Sequence, residues 1–98
     1  MSSLVELLGR LDDLDRDEVI YAARPWTRHS DAACQVEPDG GSHAPSGLTY
    51  LLEVELVHDV AEVWSSWRDG RTPTTEELAD AVIHYATHDA YLEPEGTR

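Results

Sequence analysis

The apolar positions of this chain change their period along its length, and each period predicts an element. Leu4, Leu7, Leu8, Leu11 and Leu14 recur at spacings of three and four, so residues 3–14 read as an amphipathic helix. Ser3 stands three places before Glu6, the pattern of a capping box, in which each side chain satisfies a backbone N–H left free in the first turn. The acidic run from Asp12 to Glu18 then closes the helix and reads as a solvated linker. It lacks the D-x-D-x-D-G loop and the closing Glu that a calcium hand requires.

Residues 18–24 are rich in β-branched and aromatic side chains and stop at Pro25, which predicts a first strand; residues 31–37 give a weaker second one. Residues 38–47, with three Gly, two Pro and two Ser, read as a connecting loop. Its glycines do not make a phosphate cradle, because the G-x-x-x-x-G-K-[ST] pattern and its lysine are both missing. Residues 48–55 alternate, with Leu48, Tyr50, Leu52 and Val54 on one side and Thr49, Leu51, Glu53 and Glu55 on the other: a third strand.

A second helix is expected over 56–69, where Leu56, Val57, Val60, Ala61, Val63, Trp64 and Trp67 fall within an arc of about 160°. That arc points both tryptophans at the core. Arg68 and Arg71 complement the dipole at its C-terminal end, and Gly70 suits the residue just past it. Thr74 and Glu77 form another capping box and open a third helix, whose apolar side carries Leu78, Ala79, Ala81, Val82, Ile83, Tyr85, Ala86 and Ala90. The expected fold class is therefore α+β: a small three-stranded antiparallel sheet with three helices packed on one face. Residues 1–92 form a single domain and 93–98 a flexible polar tail.

Charge changes the picture more than composition does. Among 98 residues, 20 are Asp or Glu and seven are Arg, with no Lys, for a net charge of −13. Residues 1–30 hold six acids and four Arg, so the excess belongs to the chain from Asp31 onward, with fourteen acids and three Arg. Phosphate backbones and anionic headgroups are held by cationic side chains, so nucleic acid and membrane surfaces are excluded as partners. A basic protein is the natural complement. Solubility or genome composition also accounts for the acidity. No apolar run reaches the ~18 to 20 residues of a membrane span and the start lacks a signal-peptide pattern, so a cytoplasmic location is expected. The single cysteine, Cys34, lies among Ala32, Ala33 and Val36 and reads as a buried structural thiol.

Candidate chemistry is sparse. Asp80, His84 and His88 recur every four residues on the third helix, a stripe that offers two imidazoles and a carboxylate to a divalent metal. The same stripe includes Glu77 and lies opposite the apolar arc, so an exposed polar face accounts for it as well. The residue after His84 is Tyr85, which removes the H-E-x-x-H pattern of a metalloprotease. His58-Asp59 and His88-Asp89 pair a base with a carboxylate, but no nucleophile accompanies them. Asp89 would fall on the apolar arc of a continued helix, so either the helix ends before it or Arg24 or Arg28 meets it. A structural cap is the preferred role.

The segments Gly47-Leu48-Thr49-Tyr50, Val57-His58-Asp59-Val60 and Tyr85 with Asp89-Ala90-Tyr91 resemble a family of small bacterial proteins of unknown function. That family shares a Gly-Leu-x-Tyr strand, a helix opened by Val-x-Asp, and a closing Tyr-x3-Asp-Ala-aromatic. The likeness supports the fold and transfers no catalytic residue. The function expected is a non-enzymatic protein-interaction module, of immunity or inhibitor type, that needs no cofactor. It would meet its partner through Glu62, Glu76, Glu77, Asp80 and His84. A metal binder or metal-dependent enzyme built on Asp80, His84 and His88, and a homo-oligomeric structural protein, are the alternatives.

Overall fold

A computed structural model of the chain describes residues 2–36 and 47–92. The expected loop at 38–47, apart from Gly47, and the expected tail at 93–98 lie outside the described residues. The elements run β1 (Ser2–Ser3), α1 (Leu4–Leu8), β2 (Glu18–Ala22), β3 (Asp31–Val36), β4 (Thr49–Glu53), α2 (Val54–Ser66) and α3 (Thr75–His88). The fold is α+β, with an antiparallel sheet ordered β1-β3-β2-β4. The expectation of three strands missed β1, whose two serines pair with Asp31 and Ala32. Two polar residues show no period, so pairing alone makes them a strand.

Both capping boxes form. Ser3 Oγ accepts from the Glu6 N–H while Glu6 accepts from the Ser3 N–H, and Thr74 with Glu77 repeats the exchange at α3. The first helix is shorter than its leucine spacing predicts. It stops at Leu8, Gly9 forms the C-cap, and a single 3-10 turn follows at Leu11–Asp13. Gly and Asp are weak helix formers, and the tighter turn still lays Leu11 and Leu14 against the core. The leucine pattern is met by burial, with two different hydrogen-bonding schemes beneath it.

The expected alternation in β4 also breaks. Ile20 pairs with Leu52 and Tyr21 with Tyr50, leaving Leu51 as an extra residue in the ladder, a β-bulge. Leu51 and Leu52 are consequently both buried, at 2% and 4% exposure, whereas strict alternation would place them on opposite faces. Neighbours on β2 separate accordingly. Ile20 and Ala22 join the main core with Leu4, Leu7, Val54, Val57, Val60, Trp64, Ala79 and Val82, while Val19 and Tyr21 gather with Leu48 in a second cluster. Tyr50 meets the Tyr21 ring edge-on, centroids 6.2 Å apart. No helix among the described residues is long and apolar enough to cross a membrane.

The α2–α3 connection corrects one further expectation. Trp64 is buried, but Trp67 is 45% exposed, because α2 ends at Ser66 and Trp67 is its cap rather than part of its core face. Trp67 rests edge-on against Tyr91 at 6.3 Å. Arg68 and Arg71 do more than complement a dipole: their guanidinium carbons lie 4.2 and 4.6 Å from the Trp64 ring centre, and Arg68 donates to the Trp64 carbonyl at 3.0 Å. The turn is completed by Asp69 and Gly70, both at positive φ, with the Gly70 N–H donating to the Ser65 carbonyl at 2.8 Å.

Candidate functional site

Two surface features emerge, and the first lies between α3 and the β2–β3 connection. That connection is held tightly by its own polar groups. Trp26 Nε1 donates to the Ala22 carbonyl at 3.1 Å, and Ser30 Oγ accepts from the Thr27 N–H at 2.8 Å and donates to the Pro25 carbonyl at 3.2 Å. The Leu4 and Val5 N–H groups of α1 bind the Ser30 and Arg28 carbonyls, so the loop is also anchored to the N-terminal helix. Arg28 is thereby placed to reach α3, where its Nε and Nη2 donate to the two carboxylate oxygens of Asp80 at 2.9 and 2.6 Å. This bidentate bond is the first cause holding the Asp80 carboxyl below its ordinary pKa, with the Arg28 charge adding to it against partial burial. Beside it opens a groove of about 450 Å³ that gathers Trp26, His29, Ile83, His84 and His88.

The expected residues fare differently in this setting. Asp80 has both oxygens engaged by Arg28. His84 and His88 do lie together, their ring centres 4.6 Å apart. Among the described residues, no group of three His, Cys, Asp or Glu is placed to hold a metal ion. Glu77 accepts from the Thr74 N–H at 3.0 Å and from both Arg71 Nη atoms at 3.3 Å. The Thr74 bond is the main cause of its lowered pKa, and Arg71 adds to it. Glu62 and Glu76 are exposed. Asp89 is exposed too, since α3 ends at His88 and Asp89 takes the left-handed conformation, φ 55 and ψ 37, with its N–H bonded to the Tyr85 carbonyl. The helix therefore stops before this carboxylate reaches the core, and Arg28 pairs with Asp80 in place of Asp89.

The second feature was not anticipated as a unit. Glu55, Asp59 and Glu62 follow one another at spacings of four and three on α2, and all three are exposed. Across the β2–β4 pairing, where Val19 stands opposite Glu53, Asp17 and Glu18 come alongside Glu53, Glu55 and Asp59 around a groove of about 390 Å³. Arg16 is the only basic residue among those lining it. The helical spacing was visible in the sequence; the strand register that brings residue 18 beside residue 53 was not. The charge of Asp59 extends to Tyr91, whose hydroxyl pKa is raised by partial burial first and then by Tyr85 and Asp59.

The remaining basic residues are largely occupied within the fold. Arg10 donates to Ser2 Oγ at 3.0 Å and Arg24 lies over the Trp26 ring at 4.4 Å. Four of the 20 acids, Glu37, Asp39, Glu93 and Glu95, lie outside the described residues. Of the sixteen others, only Asp80 and Glu77 form ion pairs among the described residues.

No family model matches the chain, and neither a curated protein nor a solved structure does.

Proposed function

We propose that this chain is a cytoplasmic, non-enzymatic interaction module that binds a basic protein surface, and that the acidic ridge on α2 and the adjoining strand ends is where it does so. One observation carries the reading: fourteen of the sixteen described carboxylates have no ion-pair partner among the described residues, and five of them, Asp17, Glu18, Glu53, Glu55 and Asp59, line one groove, with Glu62 three residues beyond Asp59 on the same exposed stripe of α2. Unneutralised like charge is an electrostatic cost to the free fold that a cationic partner relieves, and it speeds encounter with such a partner. Exposed Trp67 with Tyr91, in the field of Asp59, adds the aromatic anchor that binding surfaces favour.

The ridge replaces the partner-facing set expected from the sequence. Glu62 belongs to it, whereas Glu77 and Asp80 are engaged by Arg71 and Arg28. The experiment is affinity capture from a bacterial extract on the immobilised protein and on a Glu55→Lys, Asp59→Lys, Glu62→Lys variant, at about 50 mM and about 500 mM salt. The expected partner is basic, is released at the higher salt and is absent from the variant. A partner retained equally under all four conditions would count against the ridge.

A further inference from the structure

The two histidines of the α3 groove make a separate case. His84 and His88 stand four residues apart on one helix, so their side chains rise from the same stripe, and their rings lie 4.6 Å apart between centres with 47° between their planes. An imidazole nitrogen binds a transition metal at about 2.0–2.1 Å, which puts the ion roughly 3.2 Å from the ring centre. Two rings on one ion are then separated by roughly 4.5 Å if they bind at a right angle and roughly 5.2 Å if they bind at the tetrahedral angle. The observed separation of 4.6 Å lies within reach of one shared ion. Imidazole donors completed by water suit Cu²⁺ and Ni²⁺, and divalent affinity peaks at Cu²⁺ and falls at Zn²⁺.

The surroundings allow such an ion to arrive. His84 is half-buried and His88 exposed, both on an open groove, and a net charge of −13 concentrates cations around the molecule. Asp80, one turn before His84, is excluded as a ligand because Arg28 takes both its oxygens. The remaining coordination positions fall to water. We infer that His84 and His88 form a two-imidazole site for a divalent transition metal ion, Cu²⁺ or Ni²⁺ ahead of Zn²⁺, open toward the groove.

The full chain is titrated with nickel chloride by calorimetry, and its imidazole resonances are followed by NMR. One saturable site per chain is expected, with a dissociation constant on the order of 10 µM, and the ring signals of His84 and His88 should broaden before those of His58. His84→Ala and His88→Ala should each weaken binding by at least about tenfold, while Asp80→Asn should change it by less than about twofold. His88 is exposed, so its replacement leaves the fold intact and decides the matter even if His84→Ala is destabilised. Absence of saturable uptake at about 1 mM nickel, or uptake that survives His88→Ala, would overturn the site. A tenfold loss in Asp80→Asn would overturn it too, by making the carboxylate a ligand.

Discussion

Asp89 holds a backbone conformation that suits glycine better than itself. With φ at 55 it ends α3 in the left-handed region, where a Cβ is a steric burden that Asp and Asn tolerate better than most residues. Asp89→Gly is expected to stabilise the protein by roughly 0.5–1 kcal/mol, a shift of several degrees in a thermal melt, while Asp89→Ala lowers the midpoint. Cys34 shows the opposite kind of constraint. Burial, then the charge of Glu18 and a hydrogen bond to it, push the thiol up to about 12, so little thiolate is present near neutral pH. Native Cys34 should therefore react with a thiol-specific disulfide reagent much more slowly than the unfolded chain at about pH 8, and Glu18→Gln should narrow the gap. The apolar neighbours of Cys34 predict a buried thiol, whereas the structure leaves it half-buried beside Glu18, a carboxylate brought to it only by the pairing of β2 with β3.

At the scale of elements, the caps carry a pH dependence whose sign is fixed. Glu6 and Glu77 are held below the ordinary carboxylate value chiefly by the Ser3 and Thr74 N–H groups, and Asp80 chiefly by Arg28. A lowered folded-state pKa means that the unfolded chain takes up the proton first. The stabilisation is complete above the ordinary carboxylate range, about pH 4, and disappears as pH falls through the depressed values. Melting midpoints should thus fall below about pH 4, and Glu77→Gln should flatten that acid limb. Thr74→Ala is expected to cost about 1 kcal/mol near neutral pH, measured by denaturant unfolding. The starts of α1 and α3 were readable because a capping box is local chemistry spanning four residues. The end of α1 and the start of α2 were not: the first depends on Gly9 and the following aspartates, and the second on Val54 serving strand alternation and helix face alike.

For the whole molecule, charge dominates. Sixteen described carboxylates with two ion pairs among the described residues leave a fold under its own repulsion, so its melting midpoint should rise between about 10 mM and about 500 mM sodium chloride. A flat salt response would mean that the acids are too dispersed to matter. The sequence located the acid excess but not its focus, since the ridge joins helix spacing to a strand register that no local pattern encodes. That register turns on Leu51. Before the bulge, Leu48 and Tyr50 attend to the cluster around Tyr21; after it, Leu52 and Val54 attend to the main core and lead directly into α2. The extra leucine thus acts as a parity switch, letting one short strand serve two apolar clusters that would otherwise demand incompatible sequences. Substitutions on its upstream side should be felt first around Tyr21, and those on its downstream side in the main core at the start of α2.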